Sequence, residues 1–352
     1  MRNRRYWALG LATALVLSAC STSADDLPTP IVETPTSEET DAGGDNGGED
    51  GSGGQSQRAD QVLDGISDAL ETAYSEQSID NVRDRIGGPA RLVLDATFEN
   101  AERFGIEGLE PIPTTDPEST WGTSTELPRV AMVFTENPET GANDQLLVLA
   151  QSDGRENYKL WGFAALVPAD AEITFASDAE SFPKEYHETI AASPVQTVRE
   201  YAMRLRDEET DVTYEDDGLA TSLHDQRDSI GDSLGETGEA RLGSRALDHG
   251  PITMSTEDGG AVTMGAIEYD VIIERTTAGS TITVGDELAE WMTGEADSTY
   301  DVEGTLTSTY LVTVAFYIPP KDGGNVQVIA TSSPELVDVT DDESTNPDEE
   351  ED

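Results

Sequence analysis

The sequence predicts an α+β fold built as two tandem units, each a layer of helices packed on a curved antiparallel sheet. Three observations carry this expectation. Apolar residues recur at helical spacing in two separate places, each helical stretch is followed by runs of strand-forming residues, and those runs are divided by short turn clusters rather than by further helices. Helices first and strands afterwards is the order of an α+β domain, and strands joined by short turns pair antiparallel.

In the first pass, Val62, Leu63, Ile66, Ala69, Leu70 and Ala73 fall on one helical face, and Ile79, Val82 and Ile86 extend the spacing into a second helical stretch. Gly87-Gly88-Pro89 breaks it, and the pattern resumes from Leu92 to Phe104. Strands are expected at Arg129 to Thr135, Gln145 to Gln151 and Tyr158 to Val167, with turn residues at Asn137-Pro138 and Asp153-Gly154. The second pass opens at Ser193-Pro194, a capping serine followed by proline at the first helical position. Val195, Val198, Tyr201, Ala202 and Leu205 then share a face, and a weaker, glycine-interrupted helix runs from Leu219 to Leu234. Long strands follow at Ile252 to Met254, Val262 to Arg275, Leu306 to Ile318 and Val326 to Ala330.

Single residues in these strands fit packing. Alternation sends Trp161 inward, and Pro319-Pro320 ends its strand because proline has no ladder donor. Tyr201, Tyr269, Tyr310, Phe316 and Tyr317 stand at helix or strand spacings that favour a core over a sugar platform, with a Tyr-rich ligand groove as the alternative. The domain reading is a leader at 1–19, a disordered acidic tether at 20–57, α+β units at 58–190 and 191–339, and a disordered acidic tail at 340–352. The boundary between the units falls between Asp170 and Ser193, where Ala, Asp, Ser and Pro replace the apolar runs.

Charge limits the partners. Lys and Arg number 20 against 72 Asp and Glu, for a net charge of −52, and such a field repels nucleic-acid phosphates and anionic headgroups. No nucleic-acid role is expected. With so many acids, pairs lie close by chance, so carboxylate spacing identifies no acid–base site. The acid and glycine run from Asp41 to Gly54 lacks the ligand alternation and distal glutamate of a calcium loop, which leaves a solvated tether.

The amino-terminal segment has the layout of a secretory leader. Arg2, Arg4 and Arg5 precede an apolar stretch from Tyr6 to Leu17 that is too short to remain as a spanning helix. Leu17-Ser18-Ala19-Cys20 resembles the lipobox of bacterial lipoproteins, and that resemblance implies a diacylglyceryl group on the Cys20 thiol and cleavage in front of it. Removing the leader arginines would take the net charge from −52 to −55. Cys20 is the only cysteine, so once acylated it leaves no thiol for a disulfide, a nucleophile or a metal. The expected partners are the membrane, through the lipid at Cys20, and an envelope protein or wall polymer.

Arg85-Ile86-Gly87-Gly88-Pro89-Ala90-Arg91, the strands Leu146 to Gln151 and Tyr158 to Trp161, and Val314 to Pro320 resemble a group of secreted actinobacterial lipoproteins that carry a domain of unknown function. The resemblance spans about Arg58 to Val339. It implies a surface lipoprotein and supplies no catalytic residue. By fold analogy the two halves resemble cystatin-like or nuclear-transport-factor-like cones, which says nothing about activity.

One motif invites a catalytic reading. Gly231-Asp232-Ser233-Leu234-Gly235 spells the signature of the GDSL hydrolases, but the residues before it, His224 to Ile230, are mostly polar rather than a buried strand. Only Asp248-His249 follows as acid and histidine, so a small-residue break in a helix is the better reading. His187, His224 and His249 are dispersed without metal-ligand spacing. No catalytic residue, cofactor site or metal site is therefore assigned, and Cys20, as a lipidation site, is the one functional residue. The expected function is non-catalytic binding or scaffolding at the extracytoplasmic face of the cell membrane. Two alternatives stay open: an isomerase or hydrolase working in a cavity between sheet and helices, and a divalent-cation-dependent wall-associated protein.

Overall fold

The computed structural model describes residues 32–33, 52–124, 127–137, 143–169, 171 and 173–348. The expected leader, Cys20 and most of the expected tether lie outside the described residues. In chain order the elements are β1 (Val32–Glu33), α1 (Ser52–Glu76), α2 (Gly88–Phe104), β2 (Thr115–Trp121), β3 (Arg129–Glu136), β4 (Gln145–Gln151), β5 (Lys159–Leu166) and β6 (Ile173–Thr174). Then come α3 (Pro194–Leu205), α4 (Gly218–Leu234), β7 (Gly238–Ala246), β8 (Ile252–Ser255), β9 (Ala261–Arg275), β10 (Thr283–Val284) and α5 (Asp286–Thr293). β11 (Tyr300–Asp301), β12 (Thr305–Ile318), β13 (Gln327–Thr331) and β14 (Glu335–Asp342) follow, and a short 3-10 turn, Glu343–Thr345, ends the series.

Ten of these strands form one antiparallel sheet in the order β2-β3-β4-β5-β13-β12-β9-β7, with β8 also on β9 and β14 also on β12. Its spine is the β9–β12 pair, in register from Thr305 opposite Glu274 to Ile318 opposite Ala261. Ala165 and Leu166 pair with Thr331 and Ala330, so the strands of both expected units enter one sheet. The stretch read as a boundary is fastened to that sheet, through bridges from Phe175 to Thr256, Ser181 to Met254 and Ile190 to Pro320. A polar, proline-containing segment can lie still when its backbone groups find partners in an existing sheet, and this does not register in an apolar pattern.

The sheet curls around an apolar interior. Val130, Met132 and Phe134 of β3, Leu146 and Val148 of β4, and Trp161 of β5 share one buried cluster with Met254 of β8, Met264 of β9 and Tyr317 of β12. Phe175 joins it, its ring tilted against that of Phe134 with centroids 5.9 Å apart. On the outer face, α1 and α2 pack Ile66, Leu70, Leu94 and Phe98 against Ala131, Val133, Leu147 and Leu149. Helices α3 and α4 cover the opposite end, where Tyr201 meets Phe316 edge-on at 4.9 Å. Each such side chain contributes about 1.5–3 kcal/mol by leaving water.

Local chemistry sets the helix ends. Ser193 caps α3 by accepting from Gln196 N at 3.3 Å, as the Ser-Pro pair predicts, and Asp217 caps α4 through Ala220 N at 2.9 Å. Gly88, at φ +54, opens α2 with the Trp161 indole so close that a β-carbon there would lie 2.6 Å from it. Glycine is thus required at Gly88 by conformation and by space.

Several expectations need correction. The helix expected at Ile79 to Ile86 is a run of tight turns, with Arg85 N bonded to Val82 O, although all three apolar residues are buried as the spacing implied. Helix α1 begins at Ser52, inside the stretch assigned to the tether. The tail assigned as disordered begins within β14, whose Asp341 accepts from Tyr300 Oη, Glu303 N and Gly304 N. Beyond it, Arg275, 6% exposed, donates to Asp348 at 2.8 Å, to Asn346, and to the carbonyls of Glu303 and Ser280. Acidic composition marks solvation in isolation, but one buried guanidinium is enough to order such a segment.

Candidate functional site

Helix α3 packs its apolar face on β9 and β12, and Gly265 of β9 sets how closely. A β-carbon at Gly265 would lie 2.6 Å from both methyls of Val198, so the helix rests on bare main chain there. Beside it runs edge strand β7, which is fastened to the end of α3: Ser244 Oγ donates to Ala202 O, and Arg206 Nη1 donates to Ser244 O at 2.5 Å. After Ala246 the chain keeps one more sheet bond, Leu247 N to Ala266 O, and then leaves through Asp248 to Pro251. At the other end of the helix, Val195 N is held by Lys184 O at 2.9 Å.

Between these fastenings lies a groove of about 390 Å³. One wall is Val195, Val198, Ala202 and Met203; the other is Ala246, Leu247 and Pro251, over the Gly265 floor. Four basic side chains stand around it, Lys184, Arg199, Arg206 and Arg245, with Asp248 the one acid of the lining. That balance inverts the composition of the chain as a whole, with its 20 basic and 72 acidic residues.

Three of the four cations are compensated nearby. Lys184 Nζ is 3.7 Å from Glu185, Arg245 pairs with Glu268, and Arg206 Nε and Nη2 each reach Glu208 at 2.8 Å. The Arg206 bond holds the exposed Glu208 carboxyl below its ordinary value and raises the guanidinium in turn. Arg199 is exposed and has no hydrogen-bond or ion-pair partner among the described residues. Arg199 and Asp248 are thus the two charged groups of the lining without a hydrogen-bond or ion-pair partner among the described residues.

The residues weighed from sequence do not meet here. Ser233 lies on the last turn of α4, exposed, with its hydroxyl donated back to Ser229 O at 2.8 Å, so no strand precedes it. His224 Nε2 contacts Leu205 O at 3.2 Å, His187 Nδ1 contacts Glu185 O at 3.0 Å, and exposed His249 sits between groove residues Asp248 and Gly250. Among the described residues, no group of three or more His, Cys, Asp or Glu could hold a metal ion, and no helix is long and apolar enough to cross a membrane. Lys184, Arg199, Arg206 and Arg245 were not singled out by sequence reasoning. The available signal was the crowding of Arg199, Arg204 and Arg206 on one helix and its end in a chain poor in bases.

A second depression, of about 450 Å³, lies between α1 and the segment before β2, lined by Ser67, Tyr74, Ile112 and Thr114 among others. Ser67 and Thr114 are bonded to each other across it at 2.9 Å, and burial pushes the Tyr74 phenol up to about 12.

Behind that depression, Glu335 of β14 is held without a cation. It accepts from Thr97 Oγ1 at 2.9 Å and Asn100 Nδ2 at 3.1 Å. Burial lifts its carboxyl above the ordinary glutamate value, the two donors oppose the rise, and Glu287 of α5 adds to it. Because the folded value is raised, charging Glu335 costs stability at neutral pH, and that cost is relieved as pH falls through the folded value toward 4.5. Glu335→Gln should therefore raise the melting temperature at pH 7.5 relative to wild type. Below pH 4.5 the difference should disappear, and thermal melts of both proteins across that range check the sign.

The structure defines a mixed α/β protein in which five helices, among the described residues, flank a large antiparallel sheet. The chain belongs to the family defined by the domain of unknown function DUF8094, whose model matches residues 127–340. That span takes in the whole groove and two of the three motifs noted above, and leaves out α1, α2 and the Arg85–Arg91 motif. No curated protein and no solved structure matches the chain.

Proposed function

We propose that this is a lipid-anchored extracytoplasmic envelope protein with a non-catalytic binding role, and that the groove beside α3 is its anion-binding site. The observation that carries the site is the gathering of Lys184, Arg199, Arg206 and Arg245 around an apolar cleft in a chain of net charge −52. The lining has no histidine, and its one serine already donates its hydroxyl to Ala202 O, which favours holding a ligand over moving a proton. The location rests on the leader-like segment before Cys20 and on the resemblance to secreted actinobacterial lipoproteins.

The test is thermal unfolding of wild type and Lys184→Glu/Arg199→Glu with small carboxylates and inorganic phosphate, against sodium chloride at matched ionic strength. Wild type should show a saturable rise in melting temperature beyond the salt control, because a ligand bound only to the folded state stabilises it by mass action. The double variant should lose that rise. Equal behaviour of the two proteins would remove the groove as the site.

A further inference from the structure

We infer that the amino-terminal end of α2 is a second ligand site, which holds a phosphate-type oxyanion between main-chain amides, the Trp161 indole N–H and the Lys159 ammonium. It stands independently of the groove beside α3. The helix supplies the first donors. Gly87 N is bonded to Leu160 O at 3.0 Å, but the amides after it are open: no side chain caps the helix, and Gly88 N and Ala90 N have no hydrogen-bond partner among the described residues. Ala90 is fully buried, so its orphan amide carries a standing cost. First-turn amides aim along the helix axis, and their partial positive charge favours an anion at that end.

The second donor is independent of the helix. Trp161 of β5 is 9% exposed, and its Nε1 has no hydrogen-bond partner among the described residues, although a buried indole N–H ordinarily finds one. The ring is clamped, since β-carbons at Gly88 and Gly250 would each lie 2.6 Å from it, and Nε1 is 2.8 Å from the place of the Gly88 β-carbon. A β-carbon lies about 2.5 Å from its own amide nitrogen, so Trp161 Nε1 and Gly88 N are at most about 5.3 Å apart. Two N–H groups at that separation reach one oxyanion with bonds of about 2.9 Å each. The third donor crosses Gly87: Lys159 Cδ lies 3.1 Å from where a β-carbon of Gly87 would stand, and Nζ is 3.8 Å from Glu156, beyond hydrogen-bond length, so its donors stay free. Gly87, Gly88 and Lys159 are partly exposed, which opens the helix end to solvent. Donors from helix, indole and lysine suit a tetrahedral oxyanion better than a planar carboxylate with two oxygens. The net charge of −52 does not forbid it, because salt screens exposed acids beyond about 8 Å and donors in contact decide.

The probes are inorganic phosphate, methyl phosphate and acetate, titrated at ionic strength held with sodium chloride into the full-length protein with Cys20 unacylated and its indoles labelled with nitrogen-15. The readout is the Trp161 indole N–H resonance, identified as the signal missing from Trp161→Phe or, should that variant not fold, by elimination with Trp7→Phe, Trp121→Phe and Trp291→Phe. Phosphate should move this resonance saturably, and acetate should bind at least about tenfold more weakly. Lys159→Gln should weaken phosphate by about tenfold, whereas Lys184→Glu/Arg199→Glu should leave the Trp161 response unchanged. Methyl phosphate binding as tightly as phosphate assigns the site to an ester, and much weaker binding assigns it to the free ion; both support the site. Acetate equal to phosphate overturns the tetrahedral ligand. A Trp161 signal that phosphate does not move, or a response lost in Lys184→Glu/Arg199→Glu and kept in Lys159→Gln, overturns the site at α2.

Discussion

Arg275→Ala should destabilise the folded chain by about 2–4 kcal/mol in urea or thermal melts, more than removal of any surface ion pair. The side chain lies at the end of β9, 6% exposed, and spends its donors on two main-chain carbonyls, Glu303 O and Ser280 O, and on Asn346 and Asp348. Alanine leaves those carbonyls without their donor, one on half-buried Ser280 and one on exposed Glu303, at about 1–3 kcal/mol for each group that water cannot reach. It also releases the segment beyond β14. Asp348, whose carboxyl is held low by Arg275 and by Gly279 N, would return to its ordinary range. Ending the chain after Asp342 isolates the second part of this effect. It removes Asn346 and Asp348 but keeps both carbonyl bonds, so its cost should be the smaller. Arg275→Ala within about 0.5 kcal/mol of wild type would mean that the clasp adds nothing to the fold.

That clasp also shows where the sequence could be read and where it could not. Strands β3, β4, β5, β9 and β12 were legible to within a residue or two because they are buried on one or both faces and their apolar runs are long. The α3 cap was legible because Ser193-Pro194 is local chemistry. Strands β2, β7 and β14 were not, since each lies along an edge of the sheet or flanks only part of a long strand, and the sequences Thr-Asp-Pro-Glu, Gly-Glu-Ala-Arg and Asp-Val-Thr-Asp are polar enough to pass for loop. Pro117 sits where the β2–β3 register shifts, between Thr115 and Glu118, which is where a strand tolerates proline. Helix α5 has eight residues, too few for a periodic signal.

The single sheet was the larger omission. Its joint is the pairing of Leu166 with Ala330, two residues far apart in sequence, and nothing in local periodicity encodes such a contact. The groove was illegible for the same reason. Its cations come from a loop, from α3 and its end, and from β7, and only the folded register brings them to one cleft. Individually each reads as a surface base. What the composition did permit was the inference that any cluster of bases in this chain is unusual, since acids outnumber them more than threefold.

Cys20→Ser should abolish membrane association of the mature protein. If Leu17-Ser18-Ala19-Cys20 is processed as a lipobox, the wild type carries two ester-linked acyl chains, each worth about 0.8 kcal/mol per buried methylene, and two chains together give stable anchoring where one does not. The chain is too acidic to bind anionic headgroups by charge, and the apolar stretch from Tyr6 to Leu17 is shorter than a spanning helix needs. Wild type should therefore partition wholly into the detergent phase on phase separation and label with a radioactive fatty acid. The serine variant should do neither, and it should appear either in the aqueous phase or as a larger, unprocessed precursor. Size and phase together separate these outcomes: a precursor retained by its leader is longer than wild type, whereas a processed and released protein is not. Equal membrane retention of the two proteins at the same size would show that something other than the Cys20 thiol holds the chain to the cell.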